Sequence, residues 1–83
     1  MTTMESVENV LASAVHATSA SLELTLKDGT SVSIPWTRCS KKLAQADDAQ
    51  RGFLELSPGG YGIHWPLIDE DLSIAGLVRN QES

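Results

Sequence analysis

The sequence predicts an α+β domain, a small antiparallel sheet of two hairpins with about four or five strands, packed with one or two short helices. Three observations carry that prediction. Apolar and polar residues alternate on both sides of Asp28 and Gly29, and a proline followed by a mixed apolar and basic run comes next. A second alternating stretch then turns through Ser57 to Gly60.

The first hairpin is the clearest local element. Leu22, Leu24 and Leu26 alternate with Glu23 and Thr25, which is the period of a strand with one buried face. Asp28-Gly29 supplies the turn, because Gly29 takes a positive φ without steric cost, and Val32 and Ile34 alternate with Ser31 and Ser33 on the return. Upstream, Val15 and Ala17 add a further strand with a turn over Thr18 to Ser21. Residues 1–13 read as an arm or short helix, with Val7, Val10 and Leu11 at helical spacing.

Pro35 ends the strand, since it lacks a backbone N–H, and its fixed φ suits the first turn of a helix running to about Ala44. Asp47 caps a second helical turn, with Asp48 in its first turn and Gly52 at its end. Phe53, Leu54 and Leu56 predict a strand, Ser57 to Gly60 a turn, and Tyr61 to Trp65, including Gly62, the return strand of a second hairpin. Pro66 then directs the chain away. The single domain spans residues 14–78, with 79–83 as a mobile tail.

Composition narrows the function classes. At 83 residues the chain holds one core, and a formal net charge of −5 with a sequence pI near 4.7 repels a phosphate backbone, so direct nucleic-acid binding is disfavoured. A lone Cys39 offers no intrachain disulfide, no stretch approaches the ~20 apolar residues of a membrane span, and the start carries no secretory pattern. The expected setting is cytoplasmic. The acidic balance steers the chain toward a basic partner.

No set of residues completes a catalytic or metal site at the sequence level. His64 and Asp69 suggest an acid–base pair without a nucleophile, and Ser57 and Cys39 lack the contexts that activate a hydroxyl or thiol. His16, His64, Cys39 and the run Asp69-Glu70-Asp71 match no zinc or calcium spacing, and Gly59, Gly60 and Gly62 are turn glycines with no following Gly-Lys-Ser/Thr. No cofactor or metal is expected. Trp36 and Trp65 are the natural anchors of a core this small, each with its indole N–H partnered.

From Ala14 to Val78 the chain resembles a family of small bacterial proteins known as domain of unknown function twenty-four forty-two. The resemblance rests on Leu22 to Gly29, on Ser33-Ile34-Pro35-Trp36, and above all on Gly62-Ile63-His64-Trp65-Pro66 followed by Leu67, Asp69 to Asp71, Leu72, Ser73, Ile74 and Gly76-Leu77. It implies an α+β domain without established enzyme chemistry, several members being partners in toxin–antitoxin-like gene pairs and others preceding a helix-turn-helix domain. No such DNA-binding domain fits after Val78, and Asp47-Asp48 stand near the place where related chains carry Thr-Pro.

The expected function is therefore a non-catalytic, antitoxin-like module that binds another protein, a toxin or a basic nucleic-acid-binding protein. The alternatives are an acidic mobile-element or phage-type inhibitor occupying the basic groove of a nucleic-acid enzyme, and a DNA-binding component using Arg38, Lys41 and Lys42. The partner-facing candidates are His64, Trp65, Asp69, Glu70, Asp71, Asp47 and Asp48. The structural candidates are Trp36, Pro35, Gly29, Gly62 and Pro66, and a homodimer through a sheet edge is a further expectation.

Overall fold

The computed structural model describes residues 10–82. It is an α+β fold built on two three-stranded antiparallel sheets, where the sequence reading expected one sheet of four or five strands. The first sheet contains β1 (Ala12–Ala17), β2 (Ser21–Leu26) and β3 (Ser31–Pro35), and the second β4 (Glu55–Leu56), β5 (Gly62–Trp65) and β6 (Glu70–Ser73). Between them run three short helices, α1 (Trp36–Cys39), α2 (Lys41–Gln45) and α3 (Asp48–Gly52), and α4 (Ile74–Glu82) follows β6.

The first hairpin forms as its residues require. Gly29 sits at φ 95° and the Asp28 carboxylate accepts the Thr30 N–H at 2.9 Å, closing the turn between β2 and β3. Leu22, Leu24 and Leu26 face the core while Glu23 and Thr25 face outward. β1 joins as expected, but it begins at Ala12, within the segment read as an arm; the rest of that expectation, up to Asn9, lies outside the described residues. Ala12 pairs with Leu26 and Ala14 with Thr25, so one extra residue on β1 makes a bulge that turns the Ala12 side chain into the core.

The single helix expected after Pro35 divides at Ser40. Ser40 is extended, with φ −171° and ψ 165°, and its hydroxyl accepts the Leu43 N–H at 3.2 Å to cap α2. Asp47 caps α3 with a reciprocal capping box, its carboxylate accepting the Gln50 N–H at 2.8 Å while the Gln50 side chain accepts the Asp47 N–H at 3.1 Å. Phe53 is the C-cap of α3, with φ −92° and ψ 82°, so the strand expected from it shrinks to Glu55 and Leu56.

Pro66 does not lead the chain away from the sheet. Residues 66–69 form a turn, Asp69 adopts a left-handed φ of 53°, and β6 returns antiparallel to β5. The acidic run is thus part turn and part strand. α4 then opens with the Ser73 hydroxyl accepting the Gly76 N–H at 3.0 Å, buries Ile74 and Leu77, and continues through the residues read as a tail.

The core lies between the inner faces of the two sheets and the helices. Leu22, Leu24, Ile34, Leu43, Ile63, Trp65, Ile74 and Leu77 are its largest fully buried side chains. Trp36 and Trp65 meet edge to face, centroids 6.4 Å apart at 80°, and both indoles donate to carbonyls, Trp36 to Thr18 at 2.8 Å and Trp65 to Arg51 at 3.1 Å. The Arg51 guanidinium lies 5.3 Å over the Trp36 ring and donates to the Leu43 and Ala44 carbonyls at 2.9 and 3.0 Å, satisfying the end of α2. Backbone bonds tie the two sheets and α4 together. Ala12 donates to the Gly60 carbonyl at 2.7 Å, and Ile74 donates to the Tyr61 carbonyl at 2.9 Å.

Candidate functional site

The second sheet turns an uncommon face to solvent. Strand alternation sends Ile63 and Trp65 inward and Gly62 and His64 outward, and the antiparallel register sets Glu55 opposite His64 on one side and Asp71 opposite it on the other. A carboxylate, an imidazole and a carboxylate therefore form one row across three strands. At a strand spacing of about 4.8 Å, the backbones carrying Glu55 and Asp71 stand roughly 10 Å apart.

That row lies in an open groove of about 490 Å³ whose walls are mostly apolar, with Leu56, Pro58 and Tyr61 beside the charged residues. The volume falls in the range of ligand-binding clefts, about 300–1,000 Å³. Tyr61 is 63% exposed at its rim, the most exposed large apolar side chain among the described residues. Among the described residues, no lysine or arginine lines the groove.

Inside it, His64 Nδ1 lies 2.7 Å from Asp71 Oδ1. A carboxylate only accepts, so Nδ1 is the donor of this bond. The pair expected from sequence, His64 with Asp69, does not form: Asp69 occupies the turn, where its carbonyl accepts from Lys42 Nζ at 3.1 Å. Beyond its ladder bonds to β5, Glu55 has no side-chain hydrogen bond or ion pair among the described residues. The groove's two serines serve the backbone. Ser57 Oγ accepts from the Tyr61 and Gly62 N–H groups at 3.1 and 3.0 Å, and Ser73 caps α4. Neither is bonded to His64, so the imidazole activates no hydroxyl in this arrangement.

Of the seven partner-facing candidates, the fold brings His64 and Asp71 together. Trp65 is corrected to a core residue: its side chain is 0% exposed, because it points to the opposite side of β5 from His64. Glu70 pairs with Trp65 and is half-buried. Asp47 and Asp48 belong to the α3 cap, and Asp48 reaches Arg51 only at 4.0 Å from an exposed position, a contact of small energetic weight. Of the structural candidates, Gly29 lies in the turn, Pro35 ends β3 and Trp36 is buried, whereas Gly62 opens β5 instead of sitting in the turn and Pro66 begins a turn that returns the chain to the sheet.

Sequence reasoning missed Glu55 and Tyr61. Their signal was the register of the second hairpin, which puts Glu55 on the face of His64 once the turn length is known. The outer face of the first sheet carries a comparable row, His16 opposite Glu23 opposite Ser33. There the Ser21 hydroxyl at 2.7 Å, the Ser33 hydroxyl at 2.8 Å and the His16 charge hold Glu23 below the usual carboxylate range. That face carries serines and a threonine around the row. Cys39 is buried, its thiol pushed up to about 11 mainly by desolvation, and no group of three His, Cys, Asp or Glu side chains among the described residues comes together to hold a metal. No helix among the described residues is long and apolar enough to cross a membrane.

Comparison with known proteins agrees with the fold. No curated protein matches the chain. A crystal structure of a protein of unknown function from Rhodospirillum rubrum ATCC 11170 superposes with a TM-score of 0.74 at 32% identity, over 84% of this chain and 86% of that one. The family model described as Protein of unknown function (DUF2442) matches residues 12–83, which spans both sheets and all four helices, and the chain belongs to that family.

Proposed function

We propose that this chain is a small non-catalytic module that binds another protein and neutralises or regulates it in an antitoxin-like manner. The observation that supports the reading is the groove on the outer face of the second sheet: apolar walls and an exposed tyrosine suit a protein contact, and its histidine lacks a nucleophile to activate. The single, buried thiol of Cys39 is in keeping with a cytoplasmic setting. The net charge of −5 favours one variant of the reading, an acidic inhibitor held in the basic groove of a nucleic-acid enzyme.

The test is affinity capture from the native host with the intact chain and with the Tyr61→Ala variant in parallel, followed by sizing of the complex at low and high salt. The expected result is a stoichiometric protein partner that the intact chain retains and the variant loses. Loss of that complex at high salt favours the inhibitor of a basic groove, whereas persistence favours apolar packing around Tyr61. Recovery of no protein, or of nucleic acid alone, overturns the proposal.

A further inference from the structure

We propose that the groove on the second sheet recognises an extended, basic segment of the partner, one lysine or arginine of which is seated between Glu55 and Asp71 with its aliphatic stem against Tyr61. This rests on the protein-binding reading and specifies the chemistry of the contact.

The argument follows from what any occupant does to the row it covers. Seating a segment over β4, β5 and β6 removes water from the Glu55 carboxylate, which has no side-chain partner among the described residues, and from the Asp71 carboxylate, whose side-chain partner there is His64. Desolvating a carboxylate without a counter-charge is costly, so a neutral or acidic occupant is penalised, whereas a cation offsets the loss. The groove offers no lysine or arginine of its own to play that part. An anionic ligand, nucleic acid included, meets two carboxylates and, among the described residues, no lysine or arginine.

The geometry suits a long basic side chain in particular. The roughly 10 Å between the strands bearing Glu55 and Asp71 leaves room above His64 for a guanidinium or ammonium group. Lysine and arginine present apolar stems below a charged head, which match an apolar wall with carboxylates beyond it, and the exposed Tyr61 ring adds a face on which such a stem or cation packs. In the neutral ring of His64, whose Nδ1 donates to Asp71, Nε2 is an acceptor for an N–H of the bound segment. The net charge of −5 speeds encounter with a basic segment at low salt.

The experiment is a titration of the isotope-labelled chain, followed by amide chemical shifts, with an acetylated and amidated seven-residue peptide alternating arginine and leucine. Its counterpart with citrulline in place of arginine removes the charge and keeps the shape. The expected result is saturable binding of the arginine peptide, with shifts at Glu55, Tyr61 to His64 and Asp71, and little binding of the citrulline peptide. The charge-removing double variant Glu55→Gln with Asp71→Asn, its fold checked by its amide spectrum, is expected to weaken binding by about tenfold, as two exposed ion pairs predict.

Equal binding of the two peptides, shifts elsewhere on the surface, or undiminished affinity in the double variant overturns the proposal. Capture from the host separates this inference from the broader one. A protein partner that the double variant retains at full affinity overturns the basic-segment proposal and leaves the binding module standing, whereas the absence of any partner overturns the module itself.

Discussion

Arg51 is the residue whose removal most directly tests how the helices are held over the core. Its side chain is 15% exposed, donates to the Leu43 and Ala44 carbonyls and covers the Trp36 ring, while its own carbonyl accepts from Trp65. Arg51→Ala removes two charge-assisted hydrogen bonds, each of about 1.5–3 kcal/mol when well buried, and a cation–π contact of about 0.5–1 kcal/mol. Partial exposure lets water replace some of what is lost, which brings the expected cost to about 2–3 kcal/mol.

For a domain of this size that loss corresponds to a fall in melting temperature of roughly 8–24 °C, since 1 kcal/mol shifts a small domain by about 4–8 °C. The assay is urea unfolding followed by tryptophan fluorescence, which reports Trp36 and Trp65 directly, with circular dichroism as a second probe. Because a domain this small holds only a few kcal/mol in reserve, Arg51→Lys is measured alongside. It keeps the charge and the stem but cannot hold both carbonyls in a planar fork, so about half of the loss is expected to remain. A cost below about 0.5 kcal/mol for Arg51→Ala, the usual effect of a surface substitution, would refute the reasoning.

Two other substitutions and conditions test separate parts of the fold. Gly60 has φ 79°, and a Cβ there meets the Ala12 carbonyl oxygen, so Gly60→Ala is expected to separate β1 from the second sheet and abolish cooperative unfolding, whereas Gly59→Ala, facing only the Tyr61 ring, leaves a cooperative transition with a modest loss. Cooperative unfolding of Gly60→Ala near the stability of the unaltered chain would show that the junction is not needed. For Cys39, a thiol raised from 9.0 to about 11 loses its proton later than in the unfolded chain, so the stability it contributes is full below the lower value and falls as pH rises between them. At neutral pH the same shift lowers the thiolate fraction by about 100-fold, so alkylation by iodoacetamide is expected to follow unfolding; a native rate within a few-fold of the urea-unfolded rate would contradict the burial.

Much of the first sheet was legible because its determinants are local. Leu22, Leu24 and Leu26 alternate over adjacent residues, and Asp28-Gly29 fixes the turn through the conformational freedom of one glycine. The α3 cap was legible for the same reason, since Asp47 and Gln50 bond to each other's backbone within one turn. Each signal lies within a few residues of the structure it specifies.

What remained hidden depends on partners far apart along the chain. Ser40 divides a helix that periodicity reads as continuous, and Pro66 begins a turn where it seemed to end the sheet, so the strand Glu70–Ser73 and the helix after it were not foreseen. Trp65 and His64 are neighbours in sequence yet face opposite ways, and only the packing of β5 against the core decides which of them meets solvent.

The amino-acid sequence alone determined the α+β class, the first hairpin, Trp36 as a core anchor and an acidic balance, because composition, alternation and turn chemistry are properties of short segments. The tertiary structure alone decided that His64 pairs with Asp71, that Glu55 and Tyr61 share its groove, and that Arg51 clasps the helices. Each of those contacts joins strands or helices through cross-strand register or core packing, and neither has a short-range signature in the chain.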